Sequence, residues 1–370
     1  MNTDTKKIIV SDAIEKLIPY PPGKPIEELE RELGIEGSIK LASNENPVGP
    51  SPKAIAAVTA GLGELNRYPD GSGFYLKRRL SEKLGVGADT IALGNGSNEI
   101  IELLVRTFIS TGDEAVMGDP SFAVYPLVMQ AAGGVSVKVP LKDLTIDLGA
   151  VLAAVTAKTR LIFLANPNNP TGTAFGASEL DAFMEKLPEG VIVCLDEAYY
   201  EYVRSGDFPD SLKYIKDPSL TKATVVVLRT FSKIYGLAGL RIGYGVSSPE
   251  LIDYLDRVRQ PFNAGSLGQR AALAAIDDTE HVERSRQCNS EGLEYLFKAL
   301  GELGYDCVPT EANFFLIKVG DGKALYGALL KEGVIVRQMQ GYGLPEYLRI
   351  TVGTMDENRR LVDTIKKLAV

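Results

Sequence analysis

Lys233 closes an apolar run, VVVLRTFSK, and an amine in such a place can form a covalent bond to a carbonyl compound and then carry a proton. Other chemically capable groups follow similar runs. Asp196 ends VIVCLD with a carboxylate, Tyr199 adds a phenol three residues on, and Asn169 offers an amide within NPNNPTG. Gly96, Ser97 and Asn98, in GNGSNE, are small enough to bring backbone N–H groups against an anion, and Arg241 could close on the same anion bidentately. Phe122, in GDPSF, supplies an aromatic face. Each has a plainer reading: a surface lysine, a helix cap for Asp196, a turn before Pro170 for Asn169, core packing for Phe122. Together they offer a lysine, a carboxylate, a phenol, an amide, a ring and a phosphate cradle.

The elements that must gather these groups are legible as short β-rich segments alternating with helical patterns, the mark of an α/β sheet covered by helices. Strands are expected at 90–93, 115–117, 136–139, 160–164, 191–195, 224–228 and 241–246. Only about a dozen glycine-rich residues join the last two, too few for a parallel crossover, so the final strand should be antiparallel. Thr230, Ser232 and Lys233 would then leave the sheet beside Arg241. In open α/β sheets ligands bind beyond the carboxyl ends of the strands, where every group above lies. Residues 248–304 read as helices broken near 260–268. Strands at 313–319, 334–336 and 347–352, with helices at 322–331 and from 356, suggest a small α+β domain.

Composition narrows the function. With 370 residues, 45% apolar, the chain can bury a large core and is long enough for two domains. Lys and Arg number 40 against 48 Asp and Glu, a formal charge of −8, which argues against nucleic acid. The longest apolar runs fall far short of a membrane span. The opening MNTDTKKIIV lacks the core of a secretory signal, so the chain is expected to be cytoplasmic. Three scattered cysteines in no ligand spacing point to no disulfide framework and no metal site. The single histidine, His281, sits in the charged stretch DDTEHVERSR and reads as part of a solvated helix face, so any acid or base must be another residue type.

The motif set, from Tyr20 and KLASNENP at 40–47 through to YLRITVG at 347–353, resembles the histidinol-phosphate aminotransferase family of fold-type I, pyridoxal-phosphate-dependent aminotransferases. The resemblance covers nearly the whole chain. It implies a large domain with a mixed, mostly parallel seven-stranded sheet covered by helices, plus a small α+β domain. The corresponding division is an arm and part of the small domain at 1–45, the large domain at 46–262 and the small domain at 263–370. It implies that Lys233 holds the cofactor, that Asp196 faces its pyridine nitrogen, and that Tyr199 and Asn169 bond its ring hydroxyl. Phe122 would stack on the ring; Gly96, Ser97, Asn98, Thr230, Ser232 and Arg241 would hold its phosphate. Tyr68 matches a tyrosine given to the neighbouring subunit's phosphate site, which implies a homodimer with shared active sites.

For substrates, Arg349 resembles the arginine that holds the common anionic group, and Arg337 the one expected at the phosphate of histidinol phosphate. Tyr20 matches a tyrosine reaching that phosphate across the dimer interface, and Asn46 and Glu45 lie in a pocket loop. The implied reaction is transfer of an amino group from histidinol phosphate to 2-oxoglutarate in histidine biosynthesis. Relatives with the same loops act on phenylalanine and tyrosine, and others are threonine-phosphate decarboxylases, so a broader specificity stays open. A dinucleotide-binding dehydrogenase is the rival from another class, because GNGSNE follows one strand and Asp119 ends the next. It lacks the third glycine, with Glu99 in its place, and leaves Lys233, Asp196 and NPNNPTG without roles.

Overall fold

The computed structural model describes residues 8–368; residues 1–7, on which the reading of the N-terminus partly rests, and 369–370 lie outside it. One sheet contains β1 (Ile91–Asn95), β2 (Glu114–Asp119), β3 (Val135–Pro140), β4 (Thr159–Ala165), β5 (Ile192–Asp196), β6 (Thr224–Thr230) and β7 (Ile242–Val246). Their spatial order is β1-β7-β6-β5-β4-β2-β3. The chain from β2 to β6 pairs in parallel, whereas β7 runs antiparallel to both β6 and β1. The mixed seven-stranded sheet is the one expected, and the short link into β7 leaves no room for a parallel return.

The central strands read as continuous apolar runs because both faces are covered. Ile162, Leu164, Val225 and Val227 belong to one buried layer, and Leu161, Phe163, Val226 and Leu228 to the layer on the other face. Each such side chain removed from water contributes about 1.5–3 kcal/mol, which fixes which strand face meets which helix layer.

A second sheet holds β8 (Asp306–Cys307), β9 (Phe314–Lys318), β10 (Arg337–Gln338) and β11 (Tyr347–Thr351), ordered β10-β11-β9-β8 with antiparallel pairing throughout. The long helix Thr279–Glu302 and the helix Met355–Leu368 pack their apolar residues onto it in a separate core. The N-terminal segment joins this side: Ile39–Lys40 pairs in parallel with Val334–Ile335, a two-residue strand too short to read from sequence.

Two expectations need correction. The helix Ser266–Ala275, assigned to the small domain by a boundary at 262, buries Ala271, Ala272 and Ala275 in the core of the large sheet, because an alanine face permits close packing against the helix Pro52–Gly61. His281 is not on a solvated face. It is 1% exposed, with neither ring nitrogen hydrogen-bonded, and burial lowers its pKa. Glu280, Glu283, Arg284 and Arg286 take the outer side of the same helix, which leaves an inward position at each turn.

Candidate active site

All the candidate residues except Tyr68 and Asn46 line one cavity of about 300 Å³. It lies beyond the carboxyl ends of β1, β4, β5 and β6, closed from the other side by the segment 42–45 and by β10 and β11.

Gly96 adopts φ +74°, and a Cβ there would come within 2.5 Å of an Arg241 guanidinium nitrogen. The turn therefore needs glycine for its backbone and for the approach of Arg241. Immediately afterwards the helix Ser97–Phe108 begins with no side-chain cap, so its first N–H groups are free to meet an anion. Arg241 itself stands in the left-handed region at φ +52°, a conformation that costs a non-glycine residue about 1–2 kcal/mol. Ser232 and Thr230 border the same cradle, and the Thr230 hydroxyl accepts the Ser232 N–H at 3.1 Å.

Asp196 ends β5 and is 6% exposed. One oxygen accepts the Tyr125 hydroxyl at 2.7 Å and the other the Ala198 N–H at 3.2 Å, with no basic side chain bonded to either. Burial pushes its pKa up, and the Tyr125 hydrogen bond opposes the shift. A buried carboxylate facing a cavity in this way is suited to a cationic N–H on a ligand. Beneath it, Glu197 forms a buried two-nitrogen pair with Arg229 at 2.8–2.9 Å, which ties the end of β5 to β6.

Tyr199, 4% exposed, receives amide donors from Asn44 at 2.9 Å and Asn169 at 3.3 Å, and burial pushes its pKa up to about 12. Phe122 borders the cavity and meets Tyr125 edge to face at 5.6 Å. The Lys233 amine reaches only the Ser43 carbonyl, at 3.4 Å, and burial, with the Arg349 cation second, pushes its pKa down to about 8.

At the opposite wall, Arg337 and Arg349 are direct cross-strand partners on β10 and β11, so both side chains leave the same face of the sheet. Like charges in that position repel, an arrangement that makes sense around a bound anion. Arg349 is 5% exposed, bonds Asn169 Oδ1 at 2.6 Å and the Ala42 carbonyl at 2.8 Å, and keeps a buried Nε with no partner. Arg337 bonds the Pro21 carbonyl at 2.9 Å and the Tyr20 hydroxyl at 3.4 Å.

Tyr20, expected to act across a dimer interface, borders the cavity of its own chain, where Arg337 bonds the proline-rich arm. Asn46 differs from its expected place. Its amide donates to the Ile234 carbonyl at 2.8 Å and to Ser285 at 2.9 Å, clamping the backbone next to Lys233 instead of facing the cavity. Its neighbour Glu45 does border the cavity, paired with Lys40 at 3.0 Å. Tyr68 is 83% exposed and stacks on Phe262 at 4.8 Å, outside the cavity. The sequence reading missed Tyr125 and Asn44. Tyr125 lies three residues after Phe122, and Asn44 sits within the quoted KLASNENP, but neither position alone betrays its partner.

Residues 36–365 match the family described as aminotransferase class I and II. The chain belongs to this family. It is 51% identical over 360 residues to histidinol-phosphate aminotransferase 1 of Nitrosococcus oceani, covering 97% of this chain and 96% of that one. It is 48% identical to the histidinol-phosphate aminotransferase of Moorella thermoacetica, covering 96% and 92%. Among solved structures, this aminotransferase fold superposes with a TM-score of 0.88 on the histidinol-phosphate aminotransferase of Sinorhizobium meliloti in complex with pyridoxal-5′-phosphate. That pair shares 29% identity and covers 97% and 98% of the two chains.

Proposed function

We propose that the protein is a pyridoxal-phosphate-dependent transaminase that moves the amino group of L-histidinol phosphate to 2-oxoglutarate, giving imidazole acetol phosphate and L-glutamate. The observation that carries the substrate reading is the facing pair Arg337 and Arg349, two guanidiniums on one wall of the cavity that holds Lys233. A phosphate dianion gains more from such a pair than a single carboxylate does. The names of the similar proteins support the same reading.

The donor set suits the cofactor. An uncapped helix start, Ser232 and Arg241 match a phosphate; a buried carboxylate without a cation matches a protonated ring nitrogen; a half-buried amine of lowered pKa matches a carbonyl. Bound there, pyridoxal phosphate would supply a carbonyl for amines and a ring that accepts the electron pair left when a Cα–H bond breaks. Lys233 would hold it covalently, and an amine titrating near 8 can both take and return the Cα proton near neutral pH. Asp196 would keep the ring nitrogen protonated, with Phe122 against the ring, and Tyr199 and Asn169 would bond its hydroxyl. Arg349 would hold the anionic group of either substrate, a carboxylate of glutamate or the phosphate of histidinol phosphate, and Arg337, with Tyr20 beside it, would add a second guanidinium for the phosphate.

Two copies would share their sites, each lending Tyr68, whose ring stands free of its own cavity. Sedimentation as a single chain at working concentration overturns that arrangement. A reduced, intracellular setting agrees with three free cysteines. The test of substrate is kcat/KM for histidinol phosphate, phenylalanine and tyrosine, each with 2-oxoglutarate. Histidinol phosphate should lead by more than about tenfold, the worth of one charge-assisted pair; parity or an aromatic preference overturns the assignment.

A further inference from the structure

We infer that Asn44 is a positioning residue that aims the Tyr199 hydroxyl proton into the cavity and makes that aim depend on the small-domain side of the site. The inference rests on the cofactor reading above, but its argument is hydrogen-bond bookkeeping on this chain.

A phenol oxygen can donate one hydrogen bond and accept at most two. Arg349 can only donate, so its 2.6 Å bond fixes Asn169 with its oxygen toward Arg349 and its NH₂ toward Tyr199. The Asn44 backbone N–H likewise can only donate, and it bonds Thr351 Oγ1 at 2.9 Å. That leaves the Thr351 hydroxyl proton for Asn44 Oδ1, at 3.2 Å, and turns the Asn44 NH₂ toward Tyr199 at 2.9 Å. Both acceptor positions of the phenol are then filled by amide donors. Its own proton has nowhere to go except the open side, where Tyr199 borders the cavity.

Asn44 is held for this task. It is 2% exposed and takes φ +55°, a left-handed conformation that asparagine tolerates better than most residues. Its carbonyl accepts the Asn313 amide at 3.1 Å. Thr351 lies on β11 and Asn313 just before β9, so every support of Asn44 comes from the small sheet while its working contact is on the large one. Displacing the small sheet would release the phenol proton to other acceptors.

A hydroxyl that donates to the cofactor's ring oxygen stabilises negative charge there and lowers the pH at which the visible band of the lysine-bound cofactor titrates. The test is that band's midpoint in the wild type, Asn44→Gly, Asn44→Asp, Tyr199→Phe and the double variant Tyr199→Phe/Asn44→Gly. Glycine accepts the left-handed backbone, and aspartate keeps the shape while drawing the phenol proton toward itself. Both single Asn44 variants should raise the midpoint, as Tyr199→Phe does, by about one to two units for a lost bond to a charged group. The double variant should match Tyr199→Phe alone, because Asn44 acts through the phenol. Midpoints at the wild-type value in both Asn44 variants, or a further shift in the double variant, overturn the inference alone. A wild-type chain that forms no visible band with pyridoxal phosphate overturns the cofactor reading and this inference with it.

Discussion

Removing Arg337 separates a phosphate site from a structural ion. A charge-assisted pair contributes about 1.5–3 kcal/mol. Arg337 is only partly buried and already spends one nitrogen on the Pro21 carbonyl at 2.9 Å, so the lower part of that range applies. A loss of about 1.5–2 kcal/mol corresponds to about a 10- to 30-fold fall in kcat/KM for histidinol phosphate in Arg337→Ala. Arg337→Lys should fall less, because it keeps the charge and loses the fork geometry. Glutamate carries no phosphate, and its side of the reaction should depend chiefly on Arg349. Half-reactions followed separately in the stopped-flow spectrophotometer, with histidinol phosphate and with glutamate, give the two losses independently. Equal losses for the two amines would refute the phosphate role and leave Arg337 as an anchor for the arm at Pro21.

Asp196→Asn should fold normally, since an amide oxygen can still accept the Tyr125 hydroxyl, yet lose about 10²- to 10³-fold in kcat, the scale of a missing electrostatic partner; near wild-type turnover would make Asp196 a cap. In the cofactor-free protein, amine-directed labelling of Lys233 should rise with a midpoint near pH 8, well below the ordinary lysine value of 10.5. The sign for stability follows: a pKa lowered on folding costs stability below about pH 8, and the cost fades toward 10.5. Lys233→Met should therefore raise the cofactor-free Tm more at pH 7 than at pH 10, and an equal rise at both would show the amine to be solvated. Gly96→Ala, at φ +74° with its Cβ against Arg241, should weaken cofactor retention by at least about tenfold, measured as the dissociation constant of pyridoxal phosphate; unchanged retention would mean the cradle lies elsewhere.

The apolar runs VVVL, LIFLA and VIVCL announce a sheet buried on both faces, and residues following such runs gather at one edge by topology alone. That is why Lys233, Asp196, Asn169 and Gly96 could be proposed together from sequence. Contacts between distant segments follow no such rule. The pairing of Arg337 opposite Arg349 depends on strand register, and the Tyr125 bond to Asp196 on a helix crossing behind the sheet. His281 was misplaced because its charged neighbours hide a single inward position, and the helix Ser266–Ala275 because an alanine-rich face gives no sign of which core it serves. Asn44, two residues before a quoted asparagine, becomes visible only when the small sheet closes on it.

The most direct measurement is a single turnover. The pyridoxal-phosphate-loaded protein, mixed with excess histidinol phosphate and no oxo acid, should release one imidazole acetol phosphate per active site, with no ammonia, and then stop. Adding 2-oxoglutarate should restart it with stoichiometric glutamate, and Lys233→Ala should release none. Continued turnover without an oxo acid, ammonia in the burst, or an undiminished burst in Lys233→Ala would contradict transamination at this site.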